Sequence, residues 1–93
     1  MNQPDGRDLL VAALLSVRTD EDCDALLEDL LTPREVRSLA QRMAVAAALL
    51  RGATYEQAKA ETGASSATIS RVRRSLYYGR GGYRRAIGER GGG

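Results

Sequence analysis

The chain has 93 residues and a net charge of +2; Ala and Leu supply 26 of its apolar residues, while Phe and Trp are absent. Strong helix formers with few β-branched or aromatic residues predict one all-α domain, too short for a separate catalytic lobe. There is no His and one Cys, Cys23, which excludes Ser/His/Asp or Cys/His catalysis and a Cys/His zinc site within one chain, so no enzyme, metal or cofactor is expected.

A core of Ala and Leu is thin, and a domain this small buries only about 60–65% of the surface its unfolded chain exposes, which points to a partner chain. Charge is segregated: residues 1–31 carry −6, residues 32–62 carry +2 and residues 63–93 carry +6. The C-terminal third is therefore the end that suits a polyanion. A lone Cys precludes an intramolecular disulfide, in keeping with a reducing cytoplasm.

In chain order, Asp8 to Arg18 is apolar nearly all round, which a helix tolerates only when covered on several sides. Its apolar run Leu9 to Val17 is about half of what a bilayer-spanning helix needs, and no basic signal-peptide start precedes it. A soluble, cytoplasmic protein without membrane association is expected. Thr19 or Asp20 then caps a second helix, with Cys23, Leu26, Leu27, Leu30 and Leu31 on one stripe, so Cys23 reads as a small core residue. Thr32-Pro33-Arg34-Glu35 opens a third helix with a cap, a first-turn proline and a reaching glutamate. Val36, Leu39, Ala40, Met43, Ala46, Ala47 and Leu50 keep helical spacing to Gly52, and Met43 is expected in the core.

Residues 54–78 carry the functional signal. Thr54-Tyr55-Glu56-Gln57 is a capping box for a short helix ending at Gly63, and Ser65 or Ser66 caps the next one. Helix, glycine turn and helix make a helix-turn-helix, with Ala58 and Ile69 expected to pack between the two. In the second helix Ser65, Ser66, Ala67 and Thr68 are small enough to approach base edges in a major groove. At 100° per residue Thr68 shares a face with Arg71 or Val72, and Ser66 with Ser70 or Arg73. Arg71, Arg73 and Arg74 reach phosphates at the groove edge, and Lys59 and Arg80 complete the expected contacts with double-stranded DNA.

Residues 79–93 read as a flexible basic tail with a short helix from Tyr83 to Ile87. Tyr77, Tyr78 and Tyr83 are expected to pack, and Arg80, Arg84 and Arg85 to touch the DNA backbone. Gly79-Arg80-Gly81-Gly82 lacks a preceding strand and is no phosphate loop. Gly91-Gly92-Gly93 is expected to be disordered.

Leu30-Leu31-Thr32-Pro33, Arg42, Leu49-Leu50-Arg51-Gly52, Thr54-Tyr55, Glu61-Thr62-Gly63-Ala64-Ser65, Ala67-Thr68-Ile69-Ser70-Arg71 and Ser75-Leu76 together resemble the bacterial Trp-repressor-like family. The likeness covers about residues 26 to 83 and is nearest to the YerC/YecD branch. It implies an intertwined helical homodimer, with residues 8–51 forming the dimerisation helices and two helix-turn-helix units facing successive major grooves. It also implies an effector site at Thr32, Arg42 and Arg71. Here the sequence departs from the family: Val72 stands where the Trp repressor has a glycine close to its ligand, and the loop before the turn is one residue shorter. Lys59 also occupies a position four before Gly63 that is often small. Val72 is expected to intrude, so free tryptophan is not expected as effector; Arg42 and Arg71 bind another anion or make salt bridges.

The function expected is a homodimeric transcriptional regulator that represses from a palindromic operator. The rival is a protein-interaction module, whose acidic N-terminal helices bind a partner while DNA is bound weakly or not at all.

Overall fold

The computed structural model describes residues 5–88. All its elements are helical, and the chain divides into two compact units, residues 1–33 and 34–93.

In the first unit, α1 spans Gly6–Ser16 and α2 spans Asp20–Leu30. α1 starts two residues before the expected Asp8, because the Asp5 carboxylate accepts the Asp8 amide at 2.8 Å and so caps the helix. Thr19 caps α2 in the same way, its hydroxyl accepting the Asp22 amide at 3.0 Å. Asp20, Glu21 and Asp22 fill the first turn of α2, where the helix dipole favours negative charge. Neither helix contains a buried residue. Leu9, Leu14 and Leu15 are 58%, 54% and 77% exposed, and Cys23 is only half-buried.

The second unit holds most of α3 (Pro33–Leu50), then α4 (Tyr55–Thr62), α5 (Ser66–Tyr78) and α6, a π-helical turn at Arg84–Gly88. Its core joins Val45 and Ala46 of α3 to Ala64 and to Ile69, Val72 and Leu76 of α5; Leu49, Leu50, Tyr55, Tyr83 and Ile87 pack around it. The expected α3 core is corrected here. Leu39 and Met43 are 41% and 40% exposed, whereas Val45, Ala46 and Ala48 are fully buried. The fully buried positions of α3 all lie in its C-terminal third, the part that meets α5, so helical spacing alone marked too long a stripe.

Gly63 is left-handed (φ +70°), a conformation costly for residues with a Cβ, and it reverses the chain between α4 and α5. Thr62 secures the reversal: its hydroxyl donates to the Ala58 carbonyl at 2.8 Å and accepts the Ala64 amide at 3.2 Å. Gln41 adds a tie from α3, donating to the Thr62 carbonyl at 3.3 Å. Ala58 and Ile69, expected between the two helices, are both at 0% exposure.

The segment after α5 was read from its glycines as loose, yet through Gly88 it is hydrogen-bonded to the rest of the unit. Arg84 Nε donates to the Leu76 carbonyl at 3.2 Å and Arg85 to the Arg80 carbonyl at 3.0 Å, while Tyr83 and Ile87 pack on the core. Gly91-Gly92-Gly93 lies outside the described residues. At Gly79 a Cβ would stand 2.4 Å from the Ser75 carbonyl oxygen. Gly79→Ala is therefore expected to destabilise the unit by about 1–3 kcal/mol, because a backbone atom must give way; a thermal melt reads the loss.

Among the described residues, no helix is long and apolar enough to cross a membrane.

Candidate nucleic-acid interface

α5 has two sides of opposite character. Ile69, Val72 and Leu76 recur at three and four residues and turn into the core. At 100° per residue the opposite direction is taken by Ala67, Ser70, Arg71, Arg74 and Tyr78, all exposed. Ser66 and Arg73 flank this face on one side and Thr68 and Ser75 on the other. The helix carries three arginines and no acid, so the charge on its outward face is positive.

Its first turn combines small side chains with a firm cap. Ser65 caps α5, its hydroxyl accepting the Thr68 amide at 3.2 Å and donating to Thr68 Oγ1 at 3.1 Å. The Ser65 proton is therefore engaged within the chain, and Thr68 is half-buried beside it. The side chains presented outward are those of Ser66, Ala67 and Ser70. Of the two residues expected to share a face with Thr68, the structure selects Val72: Thr68 lies half-buried at the inward margin beside it, since the core draws that edge of the helix down.

The remaining expected contacts are spread more widely. Lys59 is exposed on α4, and Arg80 is exposed just beyond α5. Arg73 lies at the flank with its guanidinium 5.8 Å from the centre of the Tyr77 ring. The packing expected of the tyrosines holds for Tyr83 alone among the three in the C-terminal segment: Tyr77 and Tyr78 are 65% and 85% exposed. Sequence reasoning missed an ion pair between Arg51 and Glu61 at 2.9 Å, which joins the end of α3 to α4. Both partners are exposed and the pair contributes about 0–1 kcal/mol. Its spacing of ten residues follows no helical repeat, and so left no signal.

Residues 5–90 match the sequence profile of the family described as Trp repressor protein. The chain belongs to the Trp repressor family. It is 48% identical over 80 residues to the uncharacterised protein YerC of Bacillus subtilis (strain 168), covering 86% of this chain and 77% of that one. Two crystal structures share its fold. One, from Staphylococcus aureus and provisionally described as a Trp repressor, superposes with a TM-score of 0.85 at 40% identity, over 90% of this chain and 84% of the other. The second, a TrpR-like protein from Eubacterium eligens ATCC 27750, gives 0.82 at 43% identity over 89% and 86%. This is a family of regulators and not of enzymes.

The Trp repressor likeness marks Thr32, Arg42 and Arg71 for an effector. Thr32 precedes α3 in the first unit, whereas Arg42 is half-buried on α3 and Arg71 exposed on α5 in the second. Among the described residues neither arginine has a carboxylate within 4.0 Å, so the expected salt bridges are absent from them. The Val72 side chain is 1% exposed and belongs to the core.

Proposed function

We propose that this Trp repressor family member is a sequence-specific DNA-binding transcriptional regulator, a repressor that acts in the cytoplasm as a homodimer on a palindromic operator. One observation carries the reading: α5 presents Ser66, Ala67 and Ser70 beside Arg71 and Arg74 on a face free of acids. Small polar side chains can reach base edges, while guanidinium groups one to two turns later reach phosphates. Ser65 and Thr68 position that turn, and Arg73, Lys59 and Arg80 add phosphate contacts.

The homodimer is supported by the exposed leucines of α1, because apolar surface of that extent in a soluble chain marks an interface. A second copy covers it, and the paired reading helices then face two half-sites. Free tryptophan is not its effector. The reason is that Val72 stands where the Trp repressor has a glycine close to its ligand, and calorimetry with tryptophan is expected to show no micromolar binding.

Binding to selected duplexes measured against salt tests the function. Several phosphate contacts predict a slope of log K against log salt near −0.9 per contact, and an operator preferred by about 10³-fold or more over random DNA. Light scattering is expected to give twice the chain mass. A shallow slope without any preferred sequence would instead favour a module whose acidic N-terminal helices bind a protein partner.

A further inference from the structure

The second unit holds a cleft of about 280 Å³, lined by Leu49 of α3, Ala53, Thr54, Tyr55 of α4, and Ile69, Arg73 and Tyr77 of α5. It lies away from Met43, Arg80 and Tyr83, which line a separate, larger hollow. We propose that this cleft binds a small aromatic carboxylate, its ring between Tyr55 and Tyr77 and its carboxylate on Arg73.

The lining specifies such a ligand. The lining joins the apolar side chains of Leu49 and Ile69, which inorganic phosphate would leave unused, to the phenol rings of Tyr55 and Tyr77, which suit a planar group. Arg73 supplies the charge. Among the described residues it has no carboxylate within 4.0 Å, and its guanidinium sits over the Tyr77 ring. A fork of donors held by an aromatic face is suited to a carboxylate. The volume falls just under the roughly 300–1,000 Å³ of drug-sized sites, which limits the ligand to about one ring.

The site has a regulatory consequence, which rests on the DNA reading above. Arg73 is one of the proposed phosphate contacts, so a carboxylate that neutralises it removes that contact and weakens DNA binding.

Benzoate serves as probe, with benzamide as its neutral isostere, in amide-resolved NMR titrations of the full chain. Saturable shifts at Leu49, Thr54, Tyr55, Ile69 and Tyr77 are expected, with a Kd on the order of 1 mM or tighter for so small a ligand. Benzamide, and benzoate with Arg73→Gln, are each expected to bind about tenfold or more weakly, the loss of one charge-assisted hydrogen bond. Absent saturation, shifts centred elsewhere, or equal affinity in R73Q would overturn the site. Saturating benzoate is then expected to lower affinity for duplex DNA and reduce the salt slope by about one contact; an unchanged slope with the cleft filled overturns the regulatory consequence. A chain that takes benzoate but binds no duplex refutes the DNA reading and supports the cleft, so the two fail separately.

Discussion

Replacing Ala67 with glutamate is expected to lower operator affinity by about 10³-fold, to the level of non-specific DNA, without lowering the melting temperature. Ala67 is the second residue of α5, exposed and centred on its outward face. A carboxylate there meets the electronegative groove floor and nearby phosphates, and it sits among the small side chains proposed to approach the bases. Within the protein the same charge falls in a helix's first turn, where the dipole stabilises it by about 0.3–1 kcal/mol. Affinity and stability therefore move independently, and a fluorescence titration paired with a thermal melt separates them. Operator binding equal to that of the parent chain would remove this face from the interface.

Ile69→Ala has the largest expected effect on stability. Ile69 is at 0% exposure, is among the largest fully buried side chains, and packs in the cluster that joins α3 to α5. Truncating such a residue costs about 2–5 kcal/mol through lost burial and the cavity left behind. Small domains have only about 5–15 kcal/mol in total. At about 4–8 °C per kcal/mol the melting temperature should fall by roughly 10 °C or more. Since Ile69 also holds α5 against α4, DNA binding should fade as the unit opens. A fall of only a degree or two in circular dichroism would show that this cluster does not hold the helix-turn-helix together.

Local chemistry explains why the helix-turn-helix was legible. Thr54 and Gln57 form the reciprocal cap read from their spacing, Gly63 takes the left-handed turn, and Ser65 caps α5. Each depends on hydrogen bonds spanning two to four residues, so the residues that determine it are adjacent in the chain. The start of α1 was misplaced for a similar local reason: Asp5 caps the helix, and the apolar pattern begins only later. Met43 was misread because spacing shows that a helix has a stripe without showing how far a neighbour covers it. Whether Arg71 or Val72 shares the face of Thr68 was open in the sequence, and the neighbouring helix decided it by drawing Val72 into the core.

Composition, caps and turn residues alone determined that this chain is helical, where α2, α4 and α5 begin, and that its basic end carries the candidate interface. These are consequences of backbone propensity, short-range hydrogen bonds and counted charge. Only tertiary packing decided which edge of α5 is buried, so that Ala67 and Arg74 face outward while Thr68 and Val72 turn in. It also brought Tyr55, Arg73 and Tyr77 around one cleft. Those outcomes depend on how side chains from α3, α4 and α5 exclude water together, and contacts between distant segments leave no periodic trace in the sequence.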